Sequence, residues 1–201
     1  MKRISEYKSQ ALAALDGKWI FGALVTVIYI IVMGVPSSVS SNVQLIAAGS
    51  IVTLLLLPLE YGYNILWLGV IRDEKVDYGT LFDGFKDYLR VLLTLFLTGI
   101  YTFLWSLLLI VPGIVKAYSY SMTPYVLKDN PQLSYDAAIE KSMCLMNGHK
   151  MKLFLLDLSF IGWGILCLLS LGIGFLFLSP YMECAHASFY EDLIKEGEEE
   201  L

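Results

Sequence analysis

Five ionisable residues lie inside long apolar stretches of the sequence, where a charged side chain is costly. They are three acids, one lysine and one histidine: Glu60, Asp157, Glu183, Lys116 and His186. At the centre of a membrane-spanning helix a charged side chain costs about 2.5–3.5 kcal/mol on insertion scales, so each needs a structural or functional reason. If these stretches cross a membrane, the five residues form a candidate intramembrane polar site.

Two of the acids stand in similar places relative to prolines. Glu60 follows Pro58 by two residues, and Glu183 follows Pro180 by three. The spacing predicts similar depths for the two carboxylates, which would share a proton or bind a cationic group if both faced inward. The alternative is structural: each acid is neutral or accepts hydrogen bonds from tyrosine or serine of a neighbouring helix.

The lysine and the third acid are predicted nearer the two membrane surfaces. Lys116 lies eight residues before Pro124, roughly 12 Å along a helix at 1.5 Å per residue, so we do not expect it to pair with Glu60 or Glu183. We expect its flexible side chain to reach toward the outer surface. Asp157 follows Lys152 closely and is expected in a partly hydrated position near the inner interface.

A metal site is the chemistry that His186 would suggest first. Glu183 and His186 form Glu-x-x-His, two potential ligands on one helix face, as in carboxylate-bridged di-iron bundles. Such a site needs a second copy of the motif, and the other histidine, His149, lies in a glycine loop. The cysteines lack metal-site spacing, and no nucleotide-binding or hydrolase motif occurs in a suitable setting. We expect no metal, no cofactor and no catalytic residue.

The composition indicates that the positioning elements lie in a bilayer. Of 201 residues 57% are hydrophobic and 16% charged, with a mean hydropathy of +0.64. Ordinary soluble domains have roughly 45–50% apolar and about 25% charged residues. The net charge of −5 includes an acidic tail, and no basic stripe is present, so nucleic acid is not an expected partner.

The hydrophobic pattern predicts six membrane-spanning helices. The fourth is the shortest and contains Lys116, and turns are expected at Pro112-Gly113 and around Gly172. The returning helices are expected to kink at Pro58, Pro124 and Pro180. The predicted spans are 19–35, 43–71, 91–111, 114–127, 151–171 and 175–190.

The distribution of basic residues gives the orientation. Thirteen of the fourteen lysines and arginines fall on one side of a six-span arrangement, and loops rich in these residues stay cytoplasmic. Removing the fourth span would place the basic stretch from Lys128 to Lys152 on the opposite side. We therefore predict a multi-pass protein of the cytoplasmic membrane with its amino and carboxyl termini in the cytoplasm.

The segments between the predicted hairpins carry apolar residues at helical spacing. The three stripes are Ile4, Tyr7, Ala11 and Leu15; Leu81, Phe82, Phe85 and Leu89; and Tyr135, Ile139, Met143 and Met146, the last with Ser134 as a candidate N-cap. Short helices in the headgroup plane would explain them, and so would connecting helices packed under the bundle. The predicted fold is an all-α polytopic membrane bundle, six transmembrane helices in three hairpins with short amphipathic interfacial helices.

Several short motifs resemble a known family. They are Leu81–Lys86, Pro112–Met122, Asp129–Pro131, Gly148–Lys150, Phe160–Trp163 and Pro180–Tyr181. With them the chain resembles the bacterial integral membrane proteins of domain of unknown function 975 and, distantly, the membrane domain that precedes some glycerophosphodiester phosphodiesterases. The resemblance implies a membrane protein in which Lys116 and the Gly148 loop are family features, and it assigns no catalytic residue.

Three classes of function are compatible with these features. The first is a non-catalytic module that binds membrane lipids, another membrane protein or a second copy of itself. The second is a small transporter or exporter that uses Glu60 and Glu183 as a proton or cation site. A lipid-acting enzyme is the third, and it lacks a recognisable nucleophile or metal constellation.

Overall fold

The computed structural model describes residues 1–38 and 43–199, with side chains for 1–34 and 49–197. Within these ranges the chain is helical without strands, which confirms the all-α prediction. The predicted outer turn from Pro36 to Asn42 falls partly outside the described residues. The α-helices are α1 Ile4–Leu15, α2 Trp19–Ser38, α3 Val43–Leu55, α4 Leu57–Ile71, α5 Tyr88–Leu108, α6 Ile110–Tyr120, α7 Thr123–Asp129, α8 Tyr135–Leu145, α9 Lys150–Leu158, α10 Ile161–Leu169 and α11 Phe175–Glu199.

The amphipathic helix α1 packs against the rest of the chain. Its axis is bent by 96° from that of α2 after a turn at Gly17, whose φ of +72° favours glycine. The stripe predicted for this helix is confirmed, because Tyr7, Ala11 and Leu15 are fully buried. The helix runs antiparallel to α11, with the Lys2 backbone N–H bonded to Asp192 and Gln10 bonded to Ser188.

The α3–α4 segment is interrupted where the sequence predicts a kink. The two helices meet at Leu56 with a bend of 40°, and Pro58 stands in the first turn of α4. That position tolerates proline because the first turn needs no intrahelical N–H donor. Helix α4 forms the centre of the core, and Leu59, Leu66, Trp67 and Leu68 are fully buried.

A 3₁₀ helix, Tyr78–Phe85, follows α4 and packs directly on it. Asp77 caps its start, since the carboxylate accepts a hydrogen bond of 3.1 Å from the Thr80 backbone N–H. In the stripe predicted here Leu81 is buried, whereas Phe82, Phe85 and Leu89 are exposed. This segment therefore buries one side chain of its apolar stripe and presents the others outward.

The turn predicted at Pro112-Gly113 is wrong by three residues. Helix α5 ends at Leu108, Leu109 is extended, and α6 begins at Ile110, so Pro112 and Gly113 stand inside the first turn of α6. Proline ends a preceding helix but also fits the beginning of the next, where no N–H donor is required. Gly113 permits the tight reversal, because a Cβ there would collide with Ser106.

Two further predicted spans are interrupted in the structure, whereas the predicted span that contains Pro180 is continuous. The segment predicted as the fourth span consists of α6 and α7, separated at Ser121-Met122, and α9 and α10 are separated at Ser159-Phe160. Pro124 stands in the first turn of α7, whereas Pro180 lies inside the continuous helix α11. Ser134 is the N-cap residue of α8, as predicted, although its side chain makes no capping hydrogen bond.

Two helices of the described chain are long and apolar enough to cross a membrane, and two bent pairs raise that number to four. The single segments are Tyr88–Leu108 and Lys150–Leu169; the pairs are Ile4–Leu15 with Trp19–Gly34 and Gly49–Leu55 with Leu57–Ile71. The predicted fourth span is divided between short helices. The predicted sixth carries Glu183, Glu191 and Asp192 among the first eighteen residues of α11. Six spans thus stay a prediction.

Candidate functional site

Two of the predicted site residues, Asp157 and His186, form a direct pair. The His186 Nε2 atom lies 2.6 Å from Asp157 Oδ1, and the Tyr118 hydroxyl donates a hydrogen bond of 2.8 Å to Asp157 Oδ2. The three side chains come from α11, α9 and α6. Asp157 therefore occupies a hydrogen-bonded position between three helices, with about a quarter of its side chain exposed.

The interruption between α9 and α10 follows Asp157 closely and is stabilised by a lysine. A broken helix leaves backbone carbonyls without their usual partners. The Lys8 ammonium donates to the Ser159 backbone carbonyl at 3.2 Å and lies 4.5 Å from the centre of the Phe160 ring. Helix α1 is thus attached to the break that adjoins the Asp157–His186 pair.

Glu183 lies one helical turn before His186 and faces a buried aromatic region. Its Oε2 atom is enclosed and makes no hydrogen bond within the described chain, and the same holds for the hydroxyl of Tyr125, which lies close enough to interact electrostatically. The Trp67 indole N–H and the Thr123 hydroxyl are also buried without a partner. Leaving a buried polar group unpaired costs about 1–3 kcal/mol, so four such groups on α4, α7 and α11 mark an unusual core.

Glu60 is located apart from Glu183, on the outer surface of the bundle. It lines a groove between α4 and α5 and makes no side-chain hydrogen bond within the described residues. The reason is helical phase: successive residues differ by about 100°, so positions two and three residues past a proline face different directions. The two carboxylates influence each other electrostatically without forming a pair.

Lys116 contacts aromatic and sulfur groups and makes no ion pair in the described chain. Its Nζ atom lies 5.0 Å from the Trp105 ring centre, 6.0 Å from that of Tyr120 and 3.9 Å from the Met143 sulfur. A cation over an aromatic face is attracted by the negative face of the ring. The structure therefore holds this ammonium against α5 and α8, away from the three acids.

An ion-pair network that the sequence reasoning missed joins the ends of α4 and α7 to the second half of α11. The Arg72 guanidinium donates two hydrogen bonds, of 2.6 and 2.7 Å, to Asp129 and a third, of 2.6 Å, to Glu191. The Tyr190 hydroxyl donates to the same Asp129 carboxylate at 2.9 Å. Their positions in the sequence could have indicated this network, since Arg72 and Asp129 both stand just after predicted spans.

The network makes stability dependent on pH. Burial alone raises the pKa of Asp129, but the hydrogen bonds and charge of Arg72 outweigh it and hold the pKa below the ordinary 3.8. The unfolded chain therefore takes up a proton at higher pH than the folded chain, so this stabilisation is present above pH 3.8 and is lost as the pH falls below it.

We expect the free energy of unfolding in detergent to fall below about pH 4, because Asp129 then becomes protonated and releases Arg72. In the variant Asp129→Asn this part of the decline should be absent. Asp136→Asn, which changes an exposed acid in the first turn of α8, is the matched control. Equal acid sensitivity of the wild type and Asp129→Asn would contradict the assignment.

An apolar groove opens between α10 and α11, with Trp19 beside it. Its volume is about 430 Å³, and its lining includes Trp19, Trp163, Leu166, Cys167, Phe177 and Tyr181. We call it the α10–α11 groove. Many neighbouring apolar side chains on α10 are exposed, so the groove lies within an apolar outer surface.

Comparison with known proteins identifies a family and no individual relative. Residues 107–197 match the family described as Protein of unknown function (DUF975), which supports the resemblance seen in the sequence motifs. No curated protein and no solved structure matches the chain. The distant resemblance to glycerophosphodiester phosphodiesterases stays a prediction. The family similarity is thus limited to residues 107–197, which resemble the DUF975 proteins of unknown function.

Proposed function

We propose that this chain is a bacterial cytoplasmic-membrane protein with six spans in three hairpins and both termini in the cytoplasm. The basic residues support the orientation, because only a crossing by α6 and α7 keeps Lys128–Lys152 on the same side as Lys2 and Arg72. Contacts between consecutive helices support the hairpins, since α2 packs on α3, α5 on α6 and α10 on α11. The exposed apolar side chains support a lipid surrounding.

Within that membrane we propose a non-catalytic function, the binding of a lipid through one of its acyl chains. The α10–α11 groove is the observation that carries this proposal. Its lining is almost entirely apolar and includes four aromatic side chains, Trp19, Trp163, Phe177 and Tyr181. In a bilayer the occupant with matching chemistry is an acyl chain, and because that chain is already in hydrocarbon, close van der Waals packing against the groove walls is what favours its retention.

Filling the groove should abolish lipid retention. Leu166 is 57% exposed and lines the groove, whereas Leu168 is 67% exposed on the same helix and does not line it. We expect Leu166→Trp to lose a one-to-one lipid adduct in native mass spectrometry of gently extracted protein, because the indole occupies the space of the chain. Leu168→Trp should keep the adduct at the wild-type level.

The same mass spectra of the wild type and the two variants also detect other occupants of the α10–α11 groove. A wild-type protein that carries only a heterogeneous set of lipids, or equal retention in the two variants, would contradict a specific groove. A mass equal to two copies of the chain, or to one copy with a second polypeptide, lost in Leu166→Trp, would assign the groove to a protein partner and overturn the lipid proposal.

A small transporter is the second candidate, and the buried polar cluster favours it. Substrate and ion sites of transporters lie where helices are interrupted inside the membrane. Here the α6–α7 and α9–α10 interruptions adjoin Tyr118, Asp157, Glu183 and His186. Loss of a transport phenotype in Glu183→Gln, with normal protein levels, would favour this function, and full activity of that variant would exclude a role for the carboxylate.

A further inference from the structure

We propose that Glu183 is a proton-binding site whose occupancy is coupled to the Asp157–His186 pair. The proposal deepens the second candidate function by naming the ion as a proton. It does not depend on transport, since a protein can bind a proton at a buried acid without moving a substrate. The three residues lie on two helices, with Glu183 and His186 three positions apart on one face of α11.

One oxygen of the Glu183 carboxylate lacks a hydrogen-bond partner within the described residues. Glu183 as a whole is half-buried, but its Oε2 atom is enclosed and receives no hydrogen bond from a described residue. An ionised carboxylate in such a place bears a large desolvation cost, whereas the protonated acid is neutral and has an O–H group to donate. The Tyr125 hydroxyl is the neighbouring polar group, since it is also buried without a hydrogen bond of its own and interacts with Glu183.

A second feature of the site is its balance of charge. The groups around Glu183 are Tyr29 from α2, Tyr63 from α4, Tyr125 from α7, Asp157 from α9, and Cys184 and His186 from α11, and Glu60 influences it electrostatically from the outer face of α4. His186 is the one group among them able to carry a positive charge, and it already pairs with Asp157 at 2.6 Å. A charged Glu183 would add a negative charge that the already paired His186 does not balance, and one bound proton removes that charge.

A third feature is the surrounding aromatic wall, which restricts the ligand. Tyr29 stacks on Tyr63 with ring centres 4.5 Å apart, and Trp67 meets Tyr63 edge-on at 5.6 Å. Tyr63 also bonds to the Thr26 hydroxyl at 3.0 Å, which fixes this side of the site. The Oε2 atom of Glu183 is enclosed, and none of the four described grooves has Glu183 in its lining, so the site suits a proton rather than an organic cation.

The Asp157–His186 pair is more exposed than the enclosed oxygen of Glu183. Asp157 and His186 have side chains about a quarter exposed, while the Oε2 atom of Glu183 is enclosed. The pair is therefore the exposed end of the cluster, and Glu183 is its buried end. A change of charge on His186 acts on Glu183 through a region of low dielectric constant, where electrostatic interactions are strong.

Infrared spectroscopy of the full-length protein in detergent tests the site directly. The wild type should show the carbonyl stretch of a protonated, buried carboxylic acid near neutral pH, and this band should disappear in Glu183→Gln. Glu140→Gln is the matched control and should keep the band, because Glu140 is exposed on α8. Circular dichroism checks that each variant stays helical.

Two further variants keep the proposal falsifiable if Glu183→Gln does not fold. Tyr125→Phe should shift the frequency of the band, because the acid loses its neighbouring hydroxyl group. His186→Gln should change the midpoint of the band's pH titration, since the charge beside Glu183 is altered. Absence of the band in the wild type, or its persistence in Glu183→Gln, overturns the proton site, and an unchanged midpoint overturns the coupling.

The same samples separate the proton site from transport. A band that depends on Glu183, in a protein without transport activity, would leave the proton site in place and remove the transporter function. Transport that survives in Glu183→Gln, together with a band that does not depend on Glu183, would overturn the proton site and leave transport to another mechanism.

Discussion

Replacing Arg72 by alanine should lower the free energy of unfolding by about 2–4 kcal/mol, because it leaves two carboxylates without their partner in a partly buried place. The guanidinium makes three short hydrogen bonds to Asp129 and Glu191. The three side chains are only 20–24% exposed, so water replaces these bonds incompletely. The variant also disconnects the ends of α4 and α7 from the second half of α11.

Denaturant unfolding in one detergent, followed by circular dichroism, measures this effect. Arg3→Ala is the matched control, because Arg3 is 86% exposed and pairs only locally with Glu6. It should change stability little. A double-mutant cycle of Arg72→Gln with Asp129→Asn should show a favourable coupling energy, and additivity of these two changes would contradict a cooperative network.

A methyl group added at Gly62 or Gly84 should have an effect of similar size. A Cβ on Gly62 would collide with the Leu81 backbone carbonyl, and a Cβ on Gly84 with that of Pro58. The 3₁₀ helix therefore lies on α4 with the two backbones in direct contact. Because backbone atoms yield less readily than side chains, we expect each alanine variant to lose about 3 kcal/mol, the upper end for overpacked cores.

Gly99→Ala is the control for these two changes. Gly99 lies in α5 with open space around its Cβ direction, so alanine there should be neutral or stabilising by up to about 1 kcal/mol through helix propensity. The same unfolding assay applies. Wild-type stability of Gly62→Ala and Gly84→Ala would show that the 3₁₀ helix is not seated on α4.

The helices could be predicted from the sequence because their signals are local. Hydropathy and glycine positions gave the helices near 88–108 and 150–169 and the turn before α11, where Gly172 has a φ of +86°. The turn at Leu109 escaped prediction because a proline fits both after a helix and inside the first turn of the next. The number of membrane crossings depends on whether α6, α7 and α11 cross. The short lengths of α6 and α7 and the charges of α11 do not answer that question.

The partners within the candidate site could not be predicted, because they are distant in sequence. Asp157 and His186 are 29 residues apart, and Arg72 and Glu191 are 119 apart. The sequence identified both members of the first pair as ionisable residues in apolar stretches. That pattern indicates a free-energy cost for each residue, but it does not indicate which residue contacts which. The sequence predicted similar depths for Glu60 and Glu183 from their distances to a proline. In the structure the two side chains face different directions, because their positions differ in helical phase.

The six-span arrangement is the central claim, and cysteine labelling of intact cells tests it most directly. In a background with the three native cysteines replaced by alanine, Ile173→Cys and Asp136→Cys are exposed to a membrane-impermeant thiol reagent. Ser40→Cys, expected outside with four or six spans, is the positive control. Six spans predict labelling of position 173 from outside and of position 136 only after permeabilisation. The reverse pattern would show that α6 and α7 do not cross the membrane, and would contradict the account.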